Sequence, residues 1–381
     1  MSARRPFAIY AITRHGVGIA VRAAAGLPGA DLFVSEKLAA LAPPHARTFA
    51  LPMGPLLADT FARYDAHVFV ISVGAVVRMI APLLENKKVD PAVVCVDDAA
   101  RFSICVLSGH VGRGNAFTER VASVLGAAPV VTTASDVNGT LTVDILGRDL
   151  GWTLDDPDRN VTRACAAVVN EARVLFVQEC GEPGWWPLES GLPRGVEYAT
   201  SLDGVDPVAY EMLLVASARD VARSHPAHFE RAVVYRPKCL VLGVGCDRGT
   251  PLPLLQRGID RILRDHGLSS AAVKKLATID VKADEPGLLE LGARRGWPIE
   301  TFPAERLDAL GEGDGVQNPS ERVKTHVGTR GVCEPAALLA AGTERLVVPK
   351  QKYTEEGAGR SMTLAVAEIP HPRRRIEARH V

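Results

Sequence analysis

The sequence predicts an α/β protein in which two α/β domains with mostly parallel sheets flank a smaller, less regular middle domain. Short apolar runs alternate with amphipathic stretches in the first and last thirds of the chain, as strands and helices alternate in parallel sheets. Residues 180–207 between them are rich in Gly and Pro, which indicates loops. A chain of 381 residues also has room for two or three domains.

We place the domain boundaries where this pattern changes. An N-terminal α/β domain spans residues 1–135, a middle domain spans 136–236, and a C-terminal α/β domain spans 237–369. Residues 370–381 form a tail rich in Pro and Arg, which we expect to be disordered.

The first domain shows the clearest alternation. Phe7–Ile12 and Ala66–Val73 are short, mostly apolar runs typical of strands. Ala92–Val96 and Arg101–Leu107 are two further β-rich runs, and the polar residues between them predict a tight hairpin turn. The other elements predicted in this domain are helices at 17–25, 74–84 and 115–125 and a strand at 129–132.

The last domain repeats the same rhythm. Its first strand, Cys239–Val244, leads into a glycine-containing loop, and a helix follows. Pro335 suits an early position in the helix predicted at 334–341. The other predicted elements are helices at 252–266 and 286–295 and strands at 276–281, 346–348 and 362–367.

Composition narrows the function classes. Lys+Arg and Asp+Glu are 44 each, so a neutral chain lacks the basic field that general nucleic-acid binding needs. The 7 cysteines include no CxxC pair and several lie in apolar runs, so we expect reduced thiols and a cytoplasmic location. No apolar stretch is long enough to span a bilayer, and the N-terminus shows no signal sequence, so we expect no membrane association.

The strongest cluster of chemically useful residues is Leu107–Asn115, which follows a strand and opens a helix. His110 can transfer protons near neutral pH, and the helix start can hold an anion. Ser108, two residues earlier, is a further catalytic candidate, although it lacks the Gly-x-Ser-x-Gly context of a serine nucleophile. A glycine-rich turn with a solvent-facing His explains the pattern equally well. The candidate substrate-binding residues of this loop are Gly109, Gly112 and Asn115.

A second cluster is cationic. Gly74 ends a strand and begins a helix, Arg78 lies one turn in, and Lys87 and Lys88 follow the helix end. These side chains can pair with substrate carboxylates. A solvated cationic helix end, favoured by the helix dipole, is the commoner explanation.

Two further polar stretches follow strands. Asp97 and Asp98 are paired carboxylates that can do acid/base work, although an ordinary turn is the commoner reason for them. Residues 132–139 can cap the next helix, or line the same sheet edge as the His110 loop.

The last domain contains two candidate substrate-binding glycines, Gly243 and Gly245, at the end of its first strand, in a loop that superficially resembles a phosphate loop. It lacks the Walker ending and the full GxGxxG spacing, so we reject nucleotide binding as the first choice. Cys246 is a nucleophile candidate, although a packed thiol is more common there. No spacing in the chain matches a zinc site. The substrate-binding cations predicted in this domain are Arg248, Lys282 and Lys350.

Together, these motifs resemble the cobalt-precorrin-5A hydrolase family, the CbiG-type proteins of anaerobic cobalamin (vitamin B12) biosynthesis. The family tends toward Ser-Gly-His-x-Gly-Gly-Ala-Asn, and Arg113 and Gly114 here replace the last Gly-Ala pair. The resemblance covers nearly the whole chain in the family's three-part order. It rests on residues 74–82, 87–91, 94–98, 107–115, 132–138, 243–250, 276–285, 332–341 and 348–352.

The resemblance implies a carbon–carbon bond hydrolase. The substrate would be a cobalt corrinoid with many carboxylates, whose lactone is opened by water with release of acetaldehyde to give cobalt-precorrin-5B. Cobalt would arrive with the substrate, so we expect no metal or cofactor bound by the protein itself. We predict His110 as general base or proton shuttle, the N–H groups of 112–115 as oxyanion donors, and Asp97 or Asp98 as the group that orients His110.

Two alternatives remain at the level of sequence. The last domain alone resembles small CobE-type proteins of the aerobic pathway, which favours a non-catalytic corrinoid-binding or carrier protein. A methyltransferase of the same pathway would need a glycine-rich donor-binding loop with a partner carboxylate, and we find none in the sequence. As partners we expect the corrinoid substrate and either a second copy of the chain or transient contact with neighbouring pathway enzymes.

Overall fold

The structure is a computed structural model that describes residues 4–134, 139–187, 191–310, 315–319, 328–357 and 359–372. It divides into two compact units, Met1–Ile145 and Leu146–Val381. Both units consist of helices packed on β-sheets, which confirms the predicted α/β class.

The first unit is built on a seven-stranded sheet with the order β3-β2-β1-β4-β5-β6-β7. Neighbouring strands are parallel, except that β5 and β6 form the predicted antiparallel hairpin. Its strands are β1 (Arg5–Ala11), β2 (Ala30–Ser35), β3 (Arg47–Phe49), β4 (Tyr64–Val70), β5 (Ala92–Val96), β6 (Phe102–Leu107) and β7 (Ala128–Val130). Its helices are α1 (Arg14–Gly26), α2 (Gly54–Thr60), α3 (Val73–Ile80) and α4 (Gly114–Leu125).

The hairpin decides where the loops of this unit lie. Val93, near the start of β5, is opposite Leu107, and Val96, at its end, is opposite Ser103. The chain therefore reverses at the hairpin, and the carboxyl ends of β6 and β7 lie at the opposite sheet edge from those of β1, β4 and β5. At about 3.3 Å per residue, the five residues of β5 separate the two edges by roughly 16 Å.

Both faces of this sheet are buried, as parallel sheets require. Phe7, Ile9 and Ala11 of β1 pack in one core, while Ala8 and Tyr10 face the other. The near-continuous apolar runs of β4 and β5 follow from this double burial, which is why the sequence predicts these strands well.

The second unit contains two five-stranded sheets, and the first is more regular than the sequence indicates. Its order is β10-β9-β11-β12-β8, with parallel pairing except between β8 and β12. The strands are β8 (Thr153–Leu154), β9 (Val174–Gln178), β10 (Val196–Ala199), β11 (Met212–Ala216) and β12 (Ala232–Arg236). The helices are α5 (Val161–Val169), α6 (Val221–Ser224) and α7 (Pro226–Phe229).

The second sheet of this unit has the order β15-β14-β13-β17-β16. Pairing is parallel from β13 to β15 and antiparallel on the β17 side. Its strands are β13 (Leu240–Cys246), β14 (Val273–Ile279), β15 (Ile299–Phe302), β16 (Leu346–Thr354) and β17 (Ser361–Glu368). Its helices are α8 (Leu252–Asp265), α9 (Pro286–Arg295), α10 (Ala304–Asp308) and α11 (Cys333–Ala341).

Several sequence predictions lie partly outside the described residues. Residues 135–138 of the polar stretch after β7 and residues 373–381 of the predicted disordered tail belong to this group. The domain boundaries stay predictions. Within the part of the chain that the structure describes, no helix is long and apolar enough to cross a membrane.

Candidate functional site

The loop after β6 folds tightly on itself before α4 begins. The N–H groups of Arg113, Gly114 and Asn115 donate to the carbonyls of His110, Ser108 and Gly109 at 2.9–3.0 Å. A Cβ at any of the three loop glycines would approach another loop atom or side chain to 2.7 Å or less. The glycines are therefore needed for the fold of the loop itself.

This geometry corrects one sequence prediction. Three of the four N–H groups of residues 112–115 already donate within the loop, so they are not free to stabilise an oxyanion. Arg113 adopts a φ of 63° at the start of α4, a left-handed conformation that favours glycine. The family pattern has Gly at this position, so the substitution keeps the turn at a conformational cost.

His110 lies beside an acid that the sequence analysis missed. Its Nδ1 is 3.4 Å from Oδ1 of Asp144, and the two side chains are only 16% and 12% exposed. Asp144 lies in the one-turn helix Val143–Ile145. Val143 of this helix is buried, and so is Leu141 just before it. No spacing signal marks Asp144 in the sequence, because it lies thirty-four positions after His110, beyond a whole helix.

Asn115 and Thr133 join the loops after β6 and β7. The Asn115 Nδ2 donates to Thr133 Oγ1 at 3.0 Å, and both groups cover Gly109. The carboxyl ends of these two parallel strands therefore meet, which corresponds to the second of the two alternatives that the sequence left open for the polar stretch beginning at Thr132.

The loop before β5 meets the His110 loop at the same edge. Ser108 Oγ donates to the Asp90 carbonyl at 3.0 Å, so the predicted catalytic hydroxyl links two loops. Lys87 and Lys88 are exposed on this loop, within three residues of Asp90. Leu84 and Val89 beside them are 40% and 44% exposed. The surface next to His110 thus carries both charged and apolar side chains.

Asp97 and Asp98 do not orient His110, contrary to the sequence prediction. They follow β5 at the opposite edge of the sheet because of the hairpin. Partial burial raises the pKa of Asp97, but hydrogen bonds from the N–H of Phe102 and from Arg101 outweigh it and lower the pKa. Asp97 is therefore the acid of the hairpin turn.

Asp98 belongs to a separate polar group at that edge. It accepts a 2.6 Å hydrogen bond from Thr13, the N-cap residue of α1, and lies 3.5 Å from His15 Nδ1. Gly74 lies in the first turn of α3 near the same edge, and Arg78 donates to the Gly74 carbonyl at 3.2 Å. The structure thus divides the residues predicted in the first domain between two sheet edges.

In the second unit, the predicted cations at the ends of β13 and β14 are paired with acids. Arg248 donates to Asp284 and lies 3.7 Å from Glu285, and the Lys282 Nζ is 3.2 Å from Glu285. Burial raises the pKa of the neighbouring Cys246 thiol to about 11, so it is protonated at neutral pH. This group presents little uncompensated positive charge and no activated nucleophile.

The structure gives Gly243 and Gly245 packing roles. A Cβ on Gly243 would lie 1.8 Å from the Cys333 carbonyl of α11, and one on Gly245 would lie 2.6 Å from Thr363 Oγ1. Gly243 is therefore covered by a helix and cannot contact a substrate as predicted. Lys350 lies on β16, two strands from β13, where its N–H donates to Glu334 at 2.8 Å.

A cleft of about 840 Å³ opens between α8 and α9 in this unit. Its charged side chains are compensated, since Arg257 pairs with Glu355 and Arg294 pairs with Glu290. The cleft consequently has room for a ligand but little net charge to attract an anionic one.

Among the described residues, no group of three or more His, Cys, Asp or Glu side chains could hold a metal ion. The site around His110 contains acid/base and amide groups instead. Fold and site together define an α/β protein whose strand-end loops present acid/base side chains, a class that binds and transforms small molecules.

Family comparisons identify the chain within this class. Models of one family match residues 55–136 (Cobalamin synthesis G N-terminal), 141–237 (Cobalamin biosynthesis central region) and 240–367 (Cobalamin synthesis G C-terminus). The chain therefore belongs to the cobalamin synthesis G family, which confirms the resemblance found in the sequence.

Two curated relatives are similar to the chain over nearly its full length. The chain is 38% identical to the cobalt-precorrin-5A hydrolase of Priestia megaterium, over 97% of this chain and 96% of that protein. It is 33% identical to the cobalt-precorrin-5A hydrolase of Salmonella typhimurium, over 94% and 97%. A third relative, protein CobE of a Sinorhizobium species, is 36% identical over 29% of this chain and 70% of that protein.

Proposed function

We propose that this protein is a cobalt-precorrin-5A hydrolase of cobalamin biosynthesis, which opens the substrate lactone with water and releases acetaldehyde to give cobalt-precorrin-5B. The observation that supports this most directly is the full-length similarity to two curated hydrolases of that name. The carrier alternative gains support only from the partial similarity to CobE.

The His110 edge of the first unit suits this reaction. His110 is partly buried beside Asp144 and can accept a proton from water as the water oxygen bonds to the lactone carbonyl. The imidazolium can then return the proton to the ring oxygen as the acyl C–O bond breaks, which leaves an alcohol and a carboxylate. The alcohol then loses its proton as the carbon–carbon bond to the macrocycle breaks, so that its carbon leaves as acetaldehyde while the macrocycle keeps the electron pair and takes up a proton. Asn115 places an amide on the same loop, where it covers Gly109, the residue before His110.

The surface next to this loop suits the substrate. Lys87 and Lys88 can pair with corrinoid carboxylates, and the exposed Leu84 and Val89 can contact the apolar macrocycle. Arg248, Lys282 and Lys350 of the second unit stay predicted substrate contacts. The acids paired with Arg248 and Lys282 would have to exchange partners when the substrate binds.

Cofactor, location and partners complete the proposal. Cobalt enters as part of the substrate, and the protein supplies no metal or cofactor of its own. The seven cysteines are free thiols, as in a reducing compartment, which supports action in the cytoplasm. A homodimer or transient contact with neighbouring pathway enzymes would suit a labile intermediate.

The test is direct turnover. Purified protein incubated with cobalt-precorrin-5A should consume the lactone and form acetaldehyde in equal amounts. His110→Ala should lower turnover by roughly 10²–10⁴-fold. His45→Ala, which removes an exposed histidine from the same unit, serves as the matched control. Corrinoid binding without acetaldehyde would favour the carrier function, and a methylated product would favour a transferase.

A further inference from the structure

The side chain of Asp144 contains a buried carboxylate oxygen without a hydrogen-bond donor among the described residues. Its Oδ1 is shielded from solvent and accepts no hydrogen bond within the described structure. A buried carboxylate oxygen without a donor costs free energy, so native proteins keep few of them. The His110 imidazole can supply a polar hydrogen to it, since its Nδ1 is 3.4 Å away.

We infer that Asp144 is the positioning residue for His110: it accepts Nδ1–H and leaves Nε2 as the nitrogen that takes the proton from water. This inference rests on the proposed function, since it assigns a role within the same reaction. The separation of 3.4 Å is longer than an ordinary N–H···O hydrogen bond, but such bonds often shorten when substrate closes the site.

The two residues are held by independent parts of the fold. The His110 carbonyl accepts the N–H of Arg113 in the loop, while the buried Val143 fixes the one-turn helix of Asp144. Two fixed backbones leave rotation of the imidazole as the simplest adjustment. A short rotation would bring Nδ1–H onto Oδ1 and turn Nε2 away from the acid.

The experiment compares imidazole tautomers and turnover in the full-length protein. With ¹⁵N-labelled histidine, and His110→Gln to assign the signal, wild type should show Nδ1–H and bare Nε2. Asp144→Asn offers an amide that can donate to Nδ1, so the signal should shift toward Nε2–H. We expect kcat to fall by roughly 10²-fold with KM little changed, because Asp144 does not touch the substrate.

Asp98→Asn is the matched control for the spectrum. Asp98 also faces a histidine Nδ1, that of His15 at 3.5 Å, but at the other sheet edge, so the His110 signal should not change. An unchanged His110 tautomer in Asp144→Asn would overturn the inference. A shifted tautomer with wild-type turnover would support the pairing and overturn the role of His110 in the reaction, so the two failures are distinguishable.

A second variant covers the case in which Asp144→Asn does not fold. Asp144→Glu keeps the carboxylate on a longer arm, and it should preserve the Nδ1–H tautomer. Conversion of that variant to Nε2–H would overturn the inference.

Discussion

Replacing Gly243 by Ala separates a packing role from a substrate-binding role at this position. The added Cβ would lie 1.8 Å from the Cys333 carbonyl and 2.8 Å from the Ala337 nitrogen. To restore an ordinary 3.4 Å contact to that carbonyl, α11 would have to move by about 1.6 Å. Eight of the nine residues of α11 are buried, so the helix cannot move without disturbing its neighbours.

Overpacking of this kind typically costs 1–3 kcal/mol, and because two backbones collide here we expect about 3 kcal/mol. With a urea m-value of about 1–3 kcal/mol/M, the unfolding midpoint of the second unit should fall by roughly 1–3 M. Circular dichroism during urea titration measures this shift. Gly184→Ala in the same unit is the control, since its Cβ would meet no atom within 4 Å. A Gly243→Ala protein with wild-type stability and a raised KM would refute the packing argument and restore the substrate-binding prediction.

Two further predictions concern buried charges. Burial raises the pKa of Glu334, but hydrogen bonds, first among them one from the Lys350 N–H, lower it overall. Glu334→Gln should lower the free energy of unfolding by about 2 kcal/mol at pH 7. Because the folded pKa of Glu334 is lower than the unfolded value near 4.3, this difference in stability should vanish as the pH falls through the two values. Urea titrations from pH 7 to 3 measure it, and a difference that stayed constant over this range would contradict the prediction. Arg236 is 2% exposed and makes a bidentate ion pair with Asp155. Arg236→Lys should lower the free energy of unfolding by about 2 kcal/mol, as measured by thermal unfolding. The variant Arg63→Lys at an exposed ion pair should leave the stability almost unchanged. Equal melting temperatures for the Arg236→Lys and Arg63→Lys proteins would refute the importance of the buried pair.

The fold was predictable wherever strands are buried on both faces. The apolar runs of β4 and β5, and the polar turn between β5 and β6, gave the right elements because burial and turn chemistry act locally. The regularity of the β10-β9-β11-β12-β8 sheet was not predicted from the sequence. Its strands have only two to five residues, and the Gly- and Pro-rich stretch 180–207 lies between β9 and β11. Such short strands leave little periodicity to detect.

The site was predictable only in part. The sequence indicated the His110 loop as a candidate site, because glycines around a histidine after a strand form a local pattern. It did not identify Asp144, and it chose Asp97 and Asp98 because they are near in sequence. Arg236 was missed as well, since its pairing with Asp155 spans 81 residues.

The antiparallel β5–β6 pair explains why nearness in sequence misled at Asp97 and Asp98. In a fully parallel sheet, the loops after β5 and β6 would share one edge, and either acid would lie near His110. Reversal at the hairpin moves the His110 loop to the edge where β5 begins, so its neighbours become Asp90 before β5 and the segment after β7. That segment leads to Asp144. The partner of a catalytic histidine in such a sheet should therefore be sought after the next strand that is parallel to its own, and not within the preceding turn.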